Sequence, residues 1–214
     1  MDQPERPKVR IAAYQSHDGL PDGTVRCLLC PHECVLRDGA YGLCRVRRNV
    51  GGILYAVTYG RAAAIALDPV EKKPLRRFMP GTMTYSVGFH GCNLHCLYCQ
   101  NARISFADLL RGTLPAPSRY EESVPIDAAG IVKAALRAGA PSVSYTYSEP
   151  LVSYENVLDI ATQAREAGLR NILVTNGFIN PAPMRELLPA IDAMNIDLKA
   201  FDDSVYRHWC GGRL

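Results

Sequence analysis

From Thr82 onward, short apolar stretches alternate with amphipathic ones, and no other feature of the chain limits its fold as tightly. Strand candidates run over Met83 to Phe89, Ser142 to Tyr147, Asn171 to Thr175 and Met194 to Leu198. Helical periodicity covers Ile126 to Ala138, Tyr154 to Ala167 and Pro183 to Leu188. Strand-helix-strand alternation of this kind predicts right-handed βαβ units and a parallel sheet, hence an α/β fold. About four such units are visible, which is too few to close a TIM-like (β/α) barrel. An open arc would leave apolar surface and a bare strand edge. The expectation is therefore a partial barrel from a truncated chain, with closure by a partner subunit as the alternative.

Residues 1–80 have another texture. They are rich in Gly, Pro, Arg and turn signals, with short strand-like pieces such as Ile53 to Tyr59 and no long helical period. Two units follow from this contrast, a loop-rich accessory module over 1–80 and an α/β core over 81–214. Of the 214 residues 48% are hydrophobic, enough for one sizeable core. The balance of 24 Lys and Arg against 21 Asp and Glu leaves +3, with no run of one sign to suggest a nucleic-acid or membrane surface. The polar stretch Met1 to Pro7 has neither a signal-peptide core nor a transit-peptide composition, and Ala62 to Leu67 is too short to span a membrane. The expected location is the cytoplasm.

In a chain without a secretion signal, clustered cysteines point to metal or redox chemistry rather than disulfides. Cys92, Cys96 and Cys99 follow the first strand of the α/β region, at the carboxyl end where such folds assemble their sites. Three thiolates can hold three corners of a cubane cluster and leave the fourth iron open, as catalytic metal sites do. The alternative is a zinc site in which His90 or His95 completes a Cys3His set.

The spacing C-x3-C-x2-C, with Tyr98 just before the last cysteine, resembles the radical S-adenosylmethionine (SAM) superfamily. The resemblance implies a [4Fe-4S] cluster whose open iron chelates the amino and carboxylate groups of SAM. Reductive cleavage then yields methionine and a 5′-deoxyadenosyl radical that abstracts hydrogen from a substrate. It also implies oxygen sensitivity and a flavodoxin- or ferredoxin-like electron donor, and it sets Tyr98 near the adenine. Glu149, in Tyr147-Ser148-Glu149, stands where that family has Gly-Gly-Glu; the acid matches and the two glycines do not. Thr175-Asn176-Gly177 resembles the Thr-Asn-Gly turn of glycyl-radical activating enzymes, with Val174 where those carry Asp. Asp197-Leu198-Lys199 resembles their Asp-Leu-Lys strand. Alternation sets Asp197 and Lys199 on one face, inward if Ile196 and Leu198 meet covering helices; a structural ion pair is the alternative.

Together with Asp68 to Leu75 and Cys99-Gln100-Asn101, the pattern is similar to the AmmeMemoRadiSam-system radical SAM enzymes, relatives of the pyruvate formate-lyase activating enzyme. A glycyl-radical activase acts on a protein backbone, so a protein is one candidate substrate; the AmmeMemoRadiSam group implies none that can be assigned. Glu149, Thr175, Asn176, Asp197 and Lys199 join Tyr98 as candidate SAM-site residues, and no catalytic residue is singled out.

Cys27, Cys30, Cys34 and Cys44 form a second group, C-x2-C-x3-C-x9-C, able to close a tetrahedral site and pin a small module. Zinc and a second iron–sulfur cluster are both open, as is a set of unligated thiols. Cys210 stands alone and reads as an ordinary thiol. Two other classes of function compete with the enzyme: a zinc-binding interaction module, and a cluster-binding fragment without turnover.

Overall fold

The computed structural model describes residues 9–106 and 123–214. Five strands build the main sheet: β1 (Ala64–Pro69), β2 (Met83–Gly88), β3 (Ser142–Thr146), β4 (Arg170–Thr175) and β5 (Ala193–Ile196). Their order is β5-β4-β3-β2-β1. Strands β2 to β5 are mutually parallel, and β1 lies antiparallel on β2 from Ala64 opposite Gly88 to Pro69 opposite Met83. The central strand β3 is buried at every position, as a parallel strand covered on both faces must be.

Helices α1 (Ala128–Arg137), α2 (Tyr154–Glu166) and α3 (Pro181–Leu187) fall within a few residues of the expected segments. Each shift has a local cause. Asp127 caps α1, its side chain accepting from the Gly130 amide, so the helix starts after it rather than at Ile126. Pro181 takes the first position of α3, where its missing N–H costs nothing, and pulls that start forward from Pro183. In α2, Val157, Ile160, Ala161 and Ala164 are buried at the spacing of one helical face. Burial of a side chain such as Val157 or Ile160 is worth roughly 1.5–3 kcal/mol.

The main sheet crosses the boundary expected at residue 80, because β1 comes from the accessory region and pairs along its whole length with β2. The rest of that region is short antiparallel ladders: Arg10–Ile11, Ile53–Ala56 and Arg47–Val50 in one, Gln15–Ser16, Val25–Cys27 and Val35–Leu36 in another. The strand-like stretch expected to reach Tyr59 ends at Ala56. These ladders share one core with the α/β part, Val25 and Leu54 joining the cluster that holds Tyr154 and Val157. Buried Arg47 reaches Glu155 on α2 with one nitrogen, 2.8 and 2.9 Å from the two carboxylate oxygens. Among the described residues no helix is long and apolar enough to cross a membrane.

Candidate functional site

The loop after β2 is shaped by what lies behind it. Gly91 has φ of +91°, and a Cβ there would stand 2.6 Å from the Cys44 carbonyl oxygen and 2.7 Å from a Val46 methyl. Only glycine lets the backbone pass so close. Beyond it, the Cys92 sulfur accepts from the Leu94 amide at 3.3 Å, and Cys99 N–H donates to the Cys96 carbonyl at 3.0 Å. The segment Tyr206–Cys210 backs this loop: His95 N–H donates to the Cys210 carbonyl and Leu97 N–H to that of Trp209.

Cys92, Cys96 and Cys99 line one cavity of about 480 Å³, and so do Tyr98, Glu149, Thr175, Asn176, Asp197 and Lys199. Every residue expected in the site thus converges on one space at the carboxyl ends of β2 to β5. Neither His90 nor His95 is part of that lining. The His95 ring nitrogen Nε2 meets the Leu43 carbonyl at 3.2 Å. Among the described residues, no group of three or more His, Cys, Asp or Glu side chains already forms a closed metal-binding set. The three thiols share a wall rather than a point.

Glu149 is the organiser of the cavity floor. It is 1% exposed, and its carboxylate accepts from Thr175 Oγ1 at 2.7 Å, Asn176 N at 2.7 Å and Leu151 N at 3.0 Å. Burial pushes its pKa up to about 7, against the pull of these donors. It ties the end of β3 to the end of β4. Asn176 in turn donates to Cys92 Sγ at 3.8 Å and Asn93 Oδ1 at 2.9 Å, so the Thr-Asn-Gly turn braces the cysteine loop.

Tyr147 occupies a place where the resembled family has glycine, yet its φ is +75°. A left-handed conformation costs a non-glycine residue roughly 1–2 kcal/mol. Its ring covers Gly88, its hydroxyl donates to Asp68, and the Lys73 ammonium lies 4.8 Å from the ring centroid. Asp68 also accepts from Lys72 at 2.8 Å and Lys73 at 2.7 Å. Burial works against its charge, but these hydrogen bonds outweigh it and hold the carboxyl well below the usual range.

Lys199 Nζ and Asp197 Oδ2 pair at 2.8 Å, and Asn195 donates to the other Asp197 oxygen at 2.7 Å. Burial opposes the Lys199 charge, and Asp197 outweighs it to raise the pKa. The expected covering of Ile196 and Leu198 by helices is not found. Both are more than half exposed, because β5 stops at Ile196 on the edge of the sheet. Tyr98 is half exposed, its hydroxyl 3.3 Å from the Lys199 carbonyl and 3.2 Å from Cys210 Sγ.

Cys210, read from the sequence as an ordinary thiol, is a free thiol behind the cysteine loop. It is fully buried against Cys96 and Tyr98. Its hydrogen bond with the phenol is the first cause of a raised Tyr98 pKa. Next to it, a Cβ on Gly212 would stand 2.4 Å from Leu94. Such an approach is invisible without coordinates.

The signature of the Radical SAM superfamily matches residues 86–213. The chain belongs to the radical SAM superfamily. Membership implies SAM-dependent radical chemistry on a [4Fe-4S] cluster. The residues present fit that group: three thiols face one cavity with room beside them, and Cys92 already receives two N–H donors. Burial pushes the Cys92 thiol well up and the Cys96 thiol up to about 12, so deprotonation would have to come with iron.

The chain is 42% identical over 198 residues to the uncharacterized protein MJ0808 of Methanocaldococcus jannaschii, covering 92% of this chain and 56% of that one. It is 28% identical over 133 residues to the 7-carboxy-7-deazaguanine synthase of Thermococcus kodakarensis, covering 58% and 52%. With the enzyme of that name from M. jannaschii it shares 27% over 116 residues, covering 53% and 45%. The chain spans about half the length of these curated relatives.

Proposed function

We propose that the chain carries the cluster and SAM site of a radical SAM oxidoreductase of the pyruvate formate-lyase activating type, which cleaves SAM reductively to a 5′-deoxyadenosyl radical for hydrogen abstraction. One observation carries this reading: three thiols and the six candidate SAM-site side chains line a single cavity. In the proposal Cys92, Cys96 and Cys99 hold the cluster, which supplies one electron to SAM when bound. The chain's own residues do the rest.

Leu94 N–H and Asn176 Nδ2 donate to the Cys92 sulfur, favouring the thiolate and tuning its basicity. Lys199, held by Asp197 at the cavity wall, offers a cation to a carboxylate. Glu149 offers charge to an ammonium through Oε2, which accepts from Asn176 N–H alone, while Oε1 accepts from Leu151 and Thr175; the same carboxylate joins two strand ends. Leu94 and Phe106 give apolar wall to a cavity otherwise lined largely by polar groups. The electron comes from a flavodoxin- or ferredoxin-like donor in the cytoplasm, and the hydrogen from a substrate with a protein backbone as first candidate.

The test is anaerobic reconstitution with iron and sulfide, followed by an assay of reductive SAM cleavage to 5′-deoxyadenosine. The expected result is about four irons bound through the Cys92 loop, with both uptake and cleavage lost in Cys92→Ala, Cys96→Ala and Cys99→Ala. Zinc held by these three cysteines, with no cluster uptake, would overturn the proposal in favour of an interaction module. Cluster uptake without SAM cleavage, even when the chain is extended to its relatives' length, would reduce it to a cluster-binding protein.

A further inference from the structure

The four remaining clustered cysteines converge in space as well as in sequence. Cys27, Cys30, Cys34 and Cys44 line one small cavity with His32 and Arg47, and all four are free thiols. Tight backbone turns present them: Glu33 N–H donates to the Cys30 carbonyl, Arg45 N–H to that of Gly42, and Glu33 and Arg45 take left-handed conformations next to Cys34 and Cys44.

A second observation points the same way. Arg47 is 1% exposed and lines this cavity, and among the described residues its Nε–H has no hydrogen-bond partner. An orphaned cationic donor is expensive in a dry interior. A tetrathiolate ion complex carries net negative charge and sulfur acceptors, and so supplies what Arg47 lacks.

Size decides between the two metals that the spacing leaves open. The space among the thiols is about 20 Å³, near that of a single water-sized sphere. It admits one ion and not a cubane of four irons and four sulfides. The geometry points to a closed site for one zinc-class divalent ion on Cys27, Cys30, Cys34 and Cys44. The four sulfurs surround this space without meeting at metal-ligand distance of a common point, and ion binding closes the set.

The site has a mechanical consequence for its neighbour. The Cys44 carbonyl and Val46 pack on Gly91, the His32 ring meets the Asn93 carbonyl at 2.7 Å, and Leu43 meets His95. The tetrad loops are therefore the back wall of the Cys92 to Cys99 loop. The ion holds a module whose ladders are only two to four residues long, and through it that wall.

The 214-residue chain, expressed with zinc and purified without oxygen, should carry one zinc per chain by elemental analysis. That zinc should persist in Cys92→Ala/Cys96→Ala/Cys99→Ala, which separates this site from the proposed cluster site. It should fall at least fivefold in Cys30→Ser/Cys34→Ser. If that variant does not fold, cobalt substitution of the unaltered chain gives the second reading: tetrahedral tetrathiolate absorption supports the site, and octahedral absorption overturns it. Absence of zinc from the unaltered chain, its retention in Cys30→Ser/Cys34→Ser, or about four irons bound by the triple alanine variant would each overturn it as well.

Discussion

Gly91→Ala tests the idea that the cysteine loop is built against the tetrad loops. Two costs add. A side chain at φ +91° costs roughly 1–2 kcal/mol from backbone strain alone. The new methyl would then lie 2.6 Å from the Cys44 carbonyl oxygen and 2.7 and 3.1 Å from the two Val46 methyls. Those atoms cannot step aside freely, because Val57 N–H holds the Val46 carbonyl at 3.0 Å and Gly42 N–H that of Arg47 at 2.8 Å. Overpacking of this kind costs roughly 1–3 kcal/mol more. The expected loss is therefore roughly 2–5 kcal/mol in urea unfolding followed by circular dichroism. Gly139→Ala is the internal control: φ there is +65° and nothing lies within 4 Å of the added carbon. It should lose only the conformational part. Gly91→Ala should also take up less iron at equal protein concentration, since the loop must shift. If the two variants lose equal stability and Gly91→Ala loads iron normally, the contact between the two cysteine loops is not what shapes the site.

Three further outcomes follow from buried charges. Glu155→Gln should cost about 3–5 kcal/mol by chemical denaturation, because it strands buried Arg47, and Arg47→Met/Glu155→Leu should recover part of the loss; strictly additive losses would argue against a coupled pair. Glu149 has its carboxyl pKa raised to about 7 by burial, so its protonated form is the stabilising one. That contribution is complete below the ordinary value near 4.5, and about 3 kcal/mol of it is lost as pH rises through 7. The stability difference between the unaltered chain and Glu149→Gln should change by about 2.5 kcal/mol between pH 5 and pH 8, and a constant difference would refute the assignment. Asp68→Asn should destabilise by about 3–5 kcal/mol near neutral pH by leaving Lys73 buried without its carboxylate. Asp68 has its pKa held down, so the gap to the unaltered chain should close only as pH falls below the ordinary carboxylate value; a gap that persists undiminished in strong acid would count against the pair.

Local rules made most of the core legible in the chain. The four parallel strands and three helices fall within a few residues of their periodic signals, because apolar spacing at 2 and 3.6 is itself the record of which face is buried. The shifts at Asp127 and Pro181 follow capping chemistry that the same residues display. Ala64–Pro69 was harder. Its strand is partly exposed and apolar at only some positions, and its place beside β2 depends on an antiparallel return that no local pattern encodes.

The site divides in the same way. The spacing of Cys92, Cys96 and Cys99 is short range, so the sequence by itself determined that three thiols would meet on one loop, and the superfamily with it. The convergence of Glu149, Thr175, Asn176, Asp197 and Lys199 on that loop followed from their positions at successive strand ends, once the strands are parallel. Only the tertiary structure decided what those side chains do to one another. It engaged Glu149 with Leu151 and the β4 turn, paired Lys199 with Asp197, brought Cys210 across 112 residues to Tyr98, and set the tetrad behind Gly91. The reason is physical. Periodicity reports which face of an element is buried, whereas a hydrogen bond or a 2.6 Å approach depends on the relative placement of elements far apart in the chain, and no local pattern carries that placement.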